Sequence, residues 1–292
     1  MKAANRRISA ILWLSLIVVL IVGAVLAWVG GRQEGSKEIT YKGKPVSKWF
    51  CDQRKDFFNQ TTRDAADDAF KALGTNALPF LLSNLKNRGS SVLYFKLYQV
   101  VPSRVQAKLP YPILRDDLQM ITLAHLSKMK SMSPEWLAAL AKQVPNLKNP
   151  RVRHCGLMTV QRLSGSRKEP AFINLCKDLL DDRHFGVQLR AAELLADLDQ
   201  KERRGLPILL GALEDKEKLN SSRSISMYRY RQPPDGSGSP PVTPFTGQTP
   251  SDLVRFERRM VLDSLEKLKP HLDQQQRKLV REHEDEADKS AP

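Results

Sequence analysis

Residues 206–213 read LPILLGAL and residues 78–85 read LPFLLSNL, so two octapeptides far apart in the chain are almost identical. In both, apolar residues recur three and four positions apart, which is the period of a helix with one buried face. The proline lies in the first turn, where its missing N–H costs nothing and its fixed φ suits the helix. Both stretches are therefore predicted to be helices, and their likeness predicts a repeated unit.

The repeated unit is a pair of helices. The apolar and small residues of 187–198 repeat those of 152–163, and the leucines of 206–213 repeat the apolar residues of 172–179. Both matches have nearly the same offset, which is typical of a repeat fold. One pair cannot bury its apolar stripe alone, so neighbouring pairs must stack around a continuous core. The predicted copies cover residues 62–86, 115–147, 151–180 and 186–214.

These pairs resemble the HEAT repeat family of armadillo-type proteins, in particular its shorter, phycobilisome-lyase-like variety. The preceding string, Tyr41-Lys-Gly-Lys-Pro-Val-Ser-Lys-Trp-Phe50, is similar to the Y-x-G-K-x-[LV]-x-x-W-[LF] entry segment of membrane-anchored bacterial HEAT repeat proteins of unknown role. The second copy departs from the pattern because its first helix lacks a pair of small residues. The resemblance implies an all-α fold, with an α-α superhelix or short solenoid over residues 48–214, and it implies partner binding rather than a reaction.

Four further segments complete the predicted organisation. Residues 91–114, between the first and second copies, have helical spacing and are expected to pack across the stack. Residues 215–250 are predicted to be a flexible loop, because a segment so rich in Ser, Pro and Gly cannot bury enough apolar surface to become ordered. Helical spacing returns over residues 251–270, a predicted capping helix, and residues 271–292 are predicted to be a polar, frayed tail.

The amino-terminal region contains an apolar run at residues 8–29 that has no ionisable side chain. The run is long enough for a transmembrane helix, which needs about 20 residues, whereas a cleaved signal peptide has an apolar region of about 7–15 residues. An uncleaved signal-anchor helix is favoured, with cleavage as the alternative. Arg6 and Arg7 adjoin the run, which favours a single-pass inner-membrane protein with residues 1–7 in the cytoplasm. The linker at residues 30–47 and the helical region are then extracytoplasmic.

The composition also limits the class of protein. Of 292 residues, 41% are hydrophobic and 27% charged, which excludes a disordered tail and a polytopic membrane protein. Three cysteines are too few for a disulfide framework, although a bridge between Cys155 and Cys176 is an open alternative. The net charge of +15 favours an anionic partner such as an acidic protein, a lipid surface or nucleic acid.

The positive charge is concentrated in two spans without Asp or Glu, residues 69–115 and 136–168. Several of these cations fall where helices turn into loops, so consecutive repeats are expected to align them along one basic edge. A solvated surface that binds nothing in particular is the alternative. The candidate edge residues are Lys86, Arg88, Lys96, Arg104, Lys108, Arg115, Lys148, Arg151, Arg153 and Arg162. Loop residues that mix aromatic and cationic side chains are further contact candidates, namely Tyr228, Arg229, Tyr230 and Arg231.

The sequence contains no recognisable catalytic, cofactor-binding or metal-binding motif. His154, Cys155, Cys176 and His184 come nearest to a metal set, but buried small side chains are the favoured interpretation because free cysteine is usually buried. We therefore expect a non-catalytic scaffold or adaptor without a cofactor or small-molecule substrate, which binds an acidic protein. The alternative is binding of nucleic acid or another anionic polymer, or of lipid, through the basic edge.

Overall fold

The computed structural model describes residues 38–55, 59–106, 109–129, 132–165, 169–199, 203–215, 217–219 and 250–289. This part of the chain is helical apart from one short hairpin and the connecting turns, which confirms the all-α class. Within it, no helix combines the length and the apolar character that crossing a bilayer requires. The predicted anchor at residues 8–29 and its cytoplasmic tail at 1–7 lie outside the described residues, as does nearly all of the predicted loop.

The entry segment forms a hairpin and a helix that close one end of the molecule. Strands β1 (Thr40–Tyr41) and β2 (Lys44–Pro45) pair antiparallel, and the turn between them has positive φ at Lys42 and Gly43, as a tight hairpin turn requires. The Trp49 indole donates a hydrogen bond to the Tyr41 carbonyl (3.2 Å), and the Lys44 ammonium lies 3.7 Å from the centre of an indole ring. The residues of the predicted motif therefore stabilise one another.

Helices make up the rest of the described chain, and short 3₁₀ turns lie at Gly74–Ala77, Val144–Asn146 and Lys269–His271. In chain order the helices are α1 (Val46–Lys55), α2 (Gln60–Leu73), α3 (Leu78–Lys86), α4 (Val92–Val100), α5 (Ser103–Gln106), α6 (Arg115–Ser127), α7 (Pro134–Gln143), α8 (Pro150–Leu163), α9 (Pro170–Leu179), α10 (Phe185–Leu198), α11 (Leu206–Glu214), α12 (Pro250–Lys267) and α13 (Gln274–Lys289).

The helix starts follow from local sequence. Pro134 and Pro170 occupy the first turns of α7 and α9, and the prolines of the two matching octapeptides do the same in α3 and α11, as predicted. Side chains cap the first helices of three pairs. Asn59 accepts a hydrogen bond from the Thr62 amide (3.4 Å), Asn149 accepts one from the Arg151 amide (2.9 Å), and His184 accepts one from the Gly186 amide (3.2 Å).

The helix pairs are arranged in two rows. Helices α6, α8, α10 and α12 contact one another in succession, while α3, α7 and α9 do the same on the other side. The two rows are joined where the second helix of one pair contacts the first helix of the next, as in α7 with α8 and α9 with α10. One continuous apolar core lies between the rows and extends from α1 to α13. The described helices therefore bury their apolar stripes mainly against neighbouring pairs.

Burial follows the predicted repeat. Phe70, Leu126, Val160 and Leu195 are buried at corresponding places in α2, α6, α8 and α10. The steps from Leu126 to Val160 and from Val160 to Leu195 are nearly equal, whereas the step from Phe70 to Leu126 is much longer. The second helices have matching buried residues as well, at Leu81, Leu140, Leu175 and Leu209. The long first step shows that an additional segment is inserted between the first two pairs.

The insertion contains α4 and α5, and its position differs from the one expected. The sequence predicts that residues 91–114 pack across the stack, but α4 and α5 contain no buried side chain. The inner face of α4 is aromatic and contacts its own loop: the Tyr94 hydroxyl donates to the Pro110 carbonyl (2.6 Å), and the Tyr98 ring lies edge-on to Tyr111. Its apolar outer face is exposed. The prediction of a helix from the apolar spacing is therefore correct, and the prediction that this helix is packed across the stack is wrong.

The carboxyl-terminal part extends the core by one more pair. Helix α12 agrees with the predicted capping helix and packs against α10 and α11. The segment predicted to be a frayed tail instead contains α13, which contacts α12 and buries Val280. Leu272 in the preceding turn is buried too. A polar helix needs only a few apolar residues on one face to dock, so the polar composition of residues 271–292 is misleading.

Candidate binding edge

The turns that connect one pair to the next lie side by side. The Ser90 amide donates to the Ile113 carbonyl (2.7 Å), which brings together the two ends of the insertion. From there the Asp116 carboxylate accepts a hydrogen bond from the Asn149 side chain (2.6 Å) at the start of α8. We call residues 86–91, 113–117, 147–153 and 180–184 the inter-pair edge.

Exposed cations lie along this edge. Lys86 ends α3 and Arg88 follows it. Arg115 begins α6 and is half-buried, and Lys148 and Arg151 flank the start of α8. In the described part of the chain, Lys86, Arg88 and Lys148 form no ion pair, so their charges are available to an external partner. These five candidate residues therefore lie within the inter-pair edge.

The acidic residues of the inter-pair edge have partners within the chain. Asp117 accepts from the Arg54 guanidinium (2.7 Å), and Asp181 pairs with Arg204 (3.1 Å). Asp116 is held by the hydrogen bond from Asn149. Because the edge contains more Lys and Arg than Asp, and two of its carboxylates pair with arginines outside it, the edge presents a surplus of positive charge to the solvent.

Arg153 is predicted to belong to the basic edge, and this prediction is wrong. It is only 6% exposed, and its guanidinium binds both carboxylate oxygens of Asp182, at 2.6 and 2.7 Å. A further nitrogen of the same guanidinium donates to the carbonyls of Leu147 and Lys148, each at 2.8 Å. Arg153 thus ties α8 to the turn between α9 and α10, and its charge is neutralised there.

The other candidate cations are divided among several places. Lys96 and Arg104 are exposed on the insertion, outside the row of turns. Arg162 is exposed near the end of α8, and the rise of the helix places it about 14 Å along the helix from the inter-pair edge. Lys108 lies outside the described residues, and so do the loop candidates Tyr228, Arg229, Tyr230 and Arg231. The described candidates for the predicted basic edge therefore fall into three places: the inter-pair edge, the insertion, and the end of α8 at Arg162.

The cysteines are free thiols in the structure, so Cys155 and Cys176 are not bridged there. Burial raises the pKa of the Cys155 thiol to about 11 and that of Cys176 to about 12. Both thiols are consequently protonated and unreactive at neutral pH. Within the described ranges, no group of three or more His, Cys, Asp or Glu side chains could hold a metal ion. His184 instead acts as the cap of α10.

A buried polar cluster that is not among the predicted sites surrounds His125. The His125 Nε2 atom lies 2.6 Å from the Gln53 side-chain oxygen, and the ring stacks on Phe70 with 4.0 Å between ring centres. Asp67 lies 3.6 Å from Nδ1, but burial, aided by the charge of Lys128, lowers the pKa of His125 to about 3. The ring is therefore neutral at neutral pH, and its contact with Asp67 is not an ion pair.

The sequence contains a cue to this cluster. Shifted by one and by two repeat intervals, His125 corresponds to Thr159 and Leu194, which are both buried. Alignment of the first helices therefore places a histidine at a core position. Because Gln53 and Asp67 come from α1 and α2, only the tertiary structure shows which groups surround the ring.

Comparisons with known proteins do not add a family to this description. No family model matches the chain, and neither a curated protein nor a solved structure matches it.

Proposed function

We propose that the helix pairs form a short HEAT-type solenoid, anchored to the inner membrane by residues 8–29, that acts as a non-catalytic scaffold for an acidic protein outside the cytoplasm. The observation that carries this proposal is the inter-pair edge, where Lys86, Arg88 and Lys148 are exposed without an ion pair to any described residue. Stacked pairs hold these cations on a preformed surface, so binding costs little conformational entropy.

The proposal is tested by capture of partners from detergent-solubilised native membranes. The full chain is compared with a triple variant in which Lys86, Arg88 and Lys148 are each changed to Glu. We expect an acidic protein to be retained by the full chain and lost from the triple variant, because like charges at an interface oppose association. A matched control, Arg162→Glu, changes an exposed cation away from the edge and should retain the partner. If the triple variant captures the same partner equally well, the edge is not the binding surface.

The same cations support the second candidate function, binding of nucleic acid or another anionic polymer. Contacts with phosphates release counterions, so affinity must fall steeply as salt is raised. Titration of a labelled DNA duplex at increasing ionic strength measures this slope. Absence of binding at low salt, or binding that salt does not weaken, would exclude the second candidate. An acidic protein is favoured because the proposed anchor would hold the edge outside the cytoplasm.

The membrane attachment has its own test. Alkaline phosphatase fused after Pro292 should be active in a bacterial host, and a fluorescent cytoplasmic reporter at the same position should be dark. The opposite pair of results would reverse the orientation. Recovery of the full chain in the soluble fraction would instead show that residues 8–29 do not anchor it.

A further inference from the structure

The outer face of α4 is apolar although the helix is on the surface. Val92 is 62% exposed, Leu93 68%, Leu97 52% and Val100 78%. At about 100° per residue these four side chains lie on one side of the helix, with Lys96 between them. Exposed apolar residues that occur singly need no explanation, but a contiguous apolar face of this kind usually has a partner.

The surroundings of this face are positively charged. Residues 69–115 contain no Asp or Glu, and Arg88, Lys96 and Arg104 are exposed on or next to the insertion. In the described residues, none of these three cations forms an ion pair. A second copy of the same helix would bring like charges together, whereas an anionic lipid surface would neutralise them. The charge pattern therefore favours lipid as the occupant.

The position of α4 in the molecule agrees with this choice. The insertion leaves and rejoins the stack at Ser90 and Ile113, next to the start of α6, where Asp117 is held by Arg54 of α1. The insertion thus belongs to the end of the molecule at which the chain enters. Only residues 30–37 separate the apolar run from Glu38, and a segment of that length spans at most about 29 Å.

We infer that α4 lies in the surface of a membrane that contains anionic lipids, with Val92, Leu93, Leu97 and Val100 among the upper acyl chains. Lys96 and Arg104 then lie at the level of the lipid phosphates, while the aromatic inner face stays on the protein. This contact gives the solenoid a second point of attachment and fixes its orientation to the bilayer. The inference rests on the proposed attachment to a membrane.

Hydrogen–deuterium exchange of the full chain tests the inference. The protein is placed in nanodiscs of phosphatidylcholine alone or of phosphatidylcholine with phosphatidylglycerol. We expect the amides of residues 92–106 to exchange at least about tenfold more slowly when phosphatidylglycerol is present, since each cation near an anionic surface contributes a factor of about five. The amides of α9, which faces the protein core, should exchange equally in both.

Two variants and a control separate the contributions. Leu93→Gln with Leu97→Gln removes the apolar contact, and Lys96→Gln with Arg104→Gln removes the charges; each pair should abolish most of the protection. These side chains are exposed, so the stack itself should be unaffected. Arg162→Gln with Lys142→Gln removes two exposed cations from regular pairs and should leave the protection unchanged.

The outcomes that overturn the inference are distinct. Equal exchange of residues 92–106 in both kinds of disc would show that anionic lipid does not cover α4. Protection that appears only with two copies per disc would assign the face to a second copy of the chain. Exchange of residues 8–29 in the same data reports on the proposed anchor. Rapid exchange there, with lipid-dependent protection of α4, would refute the anchor while leaving the α4 contact established.

Discussion

The chain contains a regular block, α8 to α11, and an interrupted block, α2 to α6, and the same helical pattern has different results in the two. In the regular block, apolar residues at helical spacing are buried against the next pair. In the interrupted block, α4 has equally good spacing, yet its apolar side chains are exposed. The block also contains a neutral histidine where the regular block has Thr159 and Leu194. Amphipathic spacing therefore specifies a face, while neighbouring pairs decide whether that face is buried.

Substitution of a cationic residue should give the largest difference in stability between the two blocks. Arg153→Met leaves Asp182 charged and buried without its partner, and we expect the free energy of unfolding to fall by about 3–5 kcal/mol. Lys96→Met, in the insertion, should change it by less than about 0.5 kcal/mol. Urea unfolding in detergent, followed by circular dichroism, measures both. Similar losses in the two variants would show that the blocks do not differ in this respect.

A second comparison uses leucines. Leu157 of α8 is fully buried, so Leu157→Ala should lower the free energy of unfolding by about 2–5 kcal/mol through lost burial and a residual cavity. Leu97→Ala in α4 removes the same atoms from an exposed site and should change it by less than about 0.5 kcal/mol. The same urea titration applies. A large loss for Leu97→Ala in detergent would mean that α4 packs on the protein.

The close approach of the two ends of the insertion requires a glycine at position 89. Its φ is +66°, and a Cβ there would lie 2.6 Å from the Arg115 amide nitrogen, so Gly89→Ala should destabilise the protein by about 2 kcal/mol. Gly211 in α11 has open space around it, and Gly211→Ala should stabilise by about 0.5–1 kcal/mol because alanine favours helix. Thermal melts can rank the two variants. The two changes in melting temperature should have opposite signs. An unchanged melting temperature for Gly89→Ala would show that the two ends of the insertion can separate.

The buried histidine of the interrupted block predicts that the stability of the protein depends on pH. The pKa of His125 is about 3 in the folded chain, while an unfolded histidine has a pKa of about 6.5. Below about pH 6.5 the unfolded chain takes up a proton that the folded chain does not, so stability is highest above this pH and falls as the pH falls towards about 3.

The expected slope from His125 is about 1.4 kcal/mol per pH unit between these two values. Urea unfolding at several pH values, with His125→Leu as the comparison, isolates this contribution. The variant should lose the slope, and His271→Leu, which changes a half-buried histidine outside the cluster, should keep it. Equal slopes for the His125→Leu variant and the parent chain would show that His125 does not resist protonation in the folded state.

Much of this fold could be predicted from spacing alone. The set Val152, Gly156, Thr159, Val160 and Leu163 is expected to be buried from the repeat offset, and it is found in the core. The candidate site is less predictable. Runs without acidic residues identify Lys86, Arg88 and Lys148, but the same rule includes Arg153, since linear sequence does not show that Asp182 reaches it through a turn. The exposure of α4 and the docking of α13 escape prediction for a related reason: each depends on what lies opposite the helix.

The sequence by itself determined the helical character, the repeat interval, the helix starts and the surplus of positive charge, because caps, prolines and apolar spacing act over a few residues. Only the tertiary structure decided which apolar faces are covered, which cations are neutralised and where His125 is held. Those outcomes depend on contacts between segments that are far apart in the chain: Gln53 with His125, Asp116 with Asn149, and Arg153 with Asp182. Burial and ion pairing depend on such long-range contacts, so a local sequence pattern predicts a helix but not which segment packs against it.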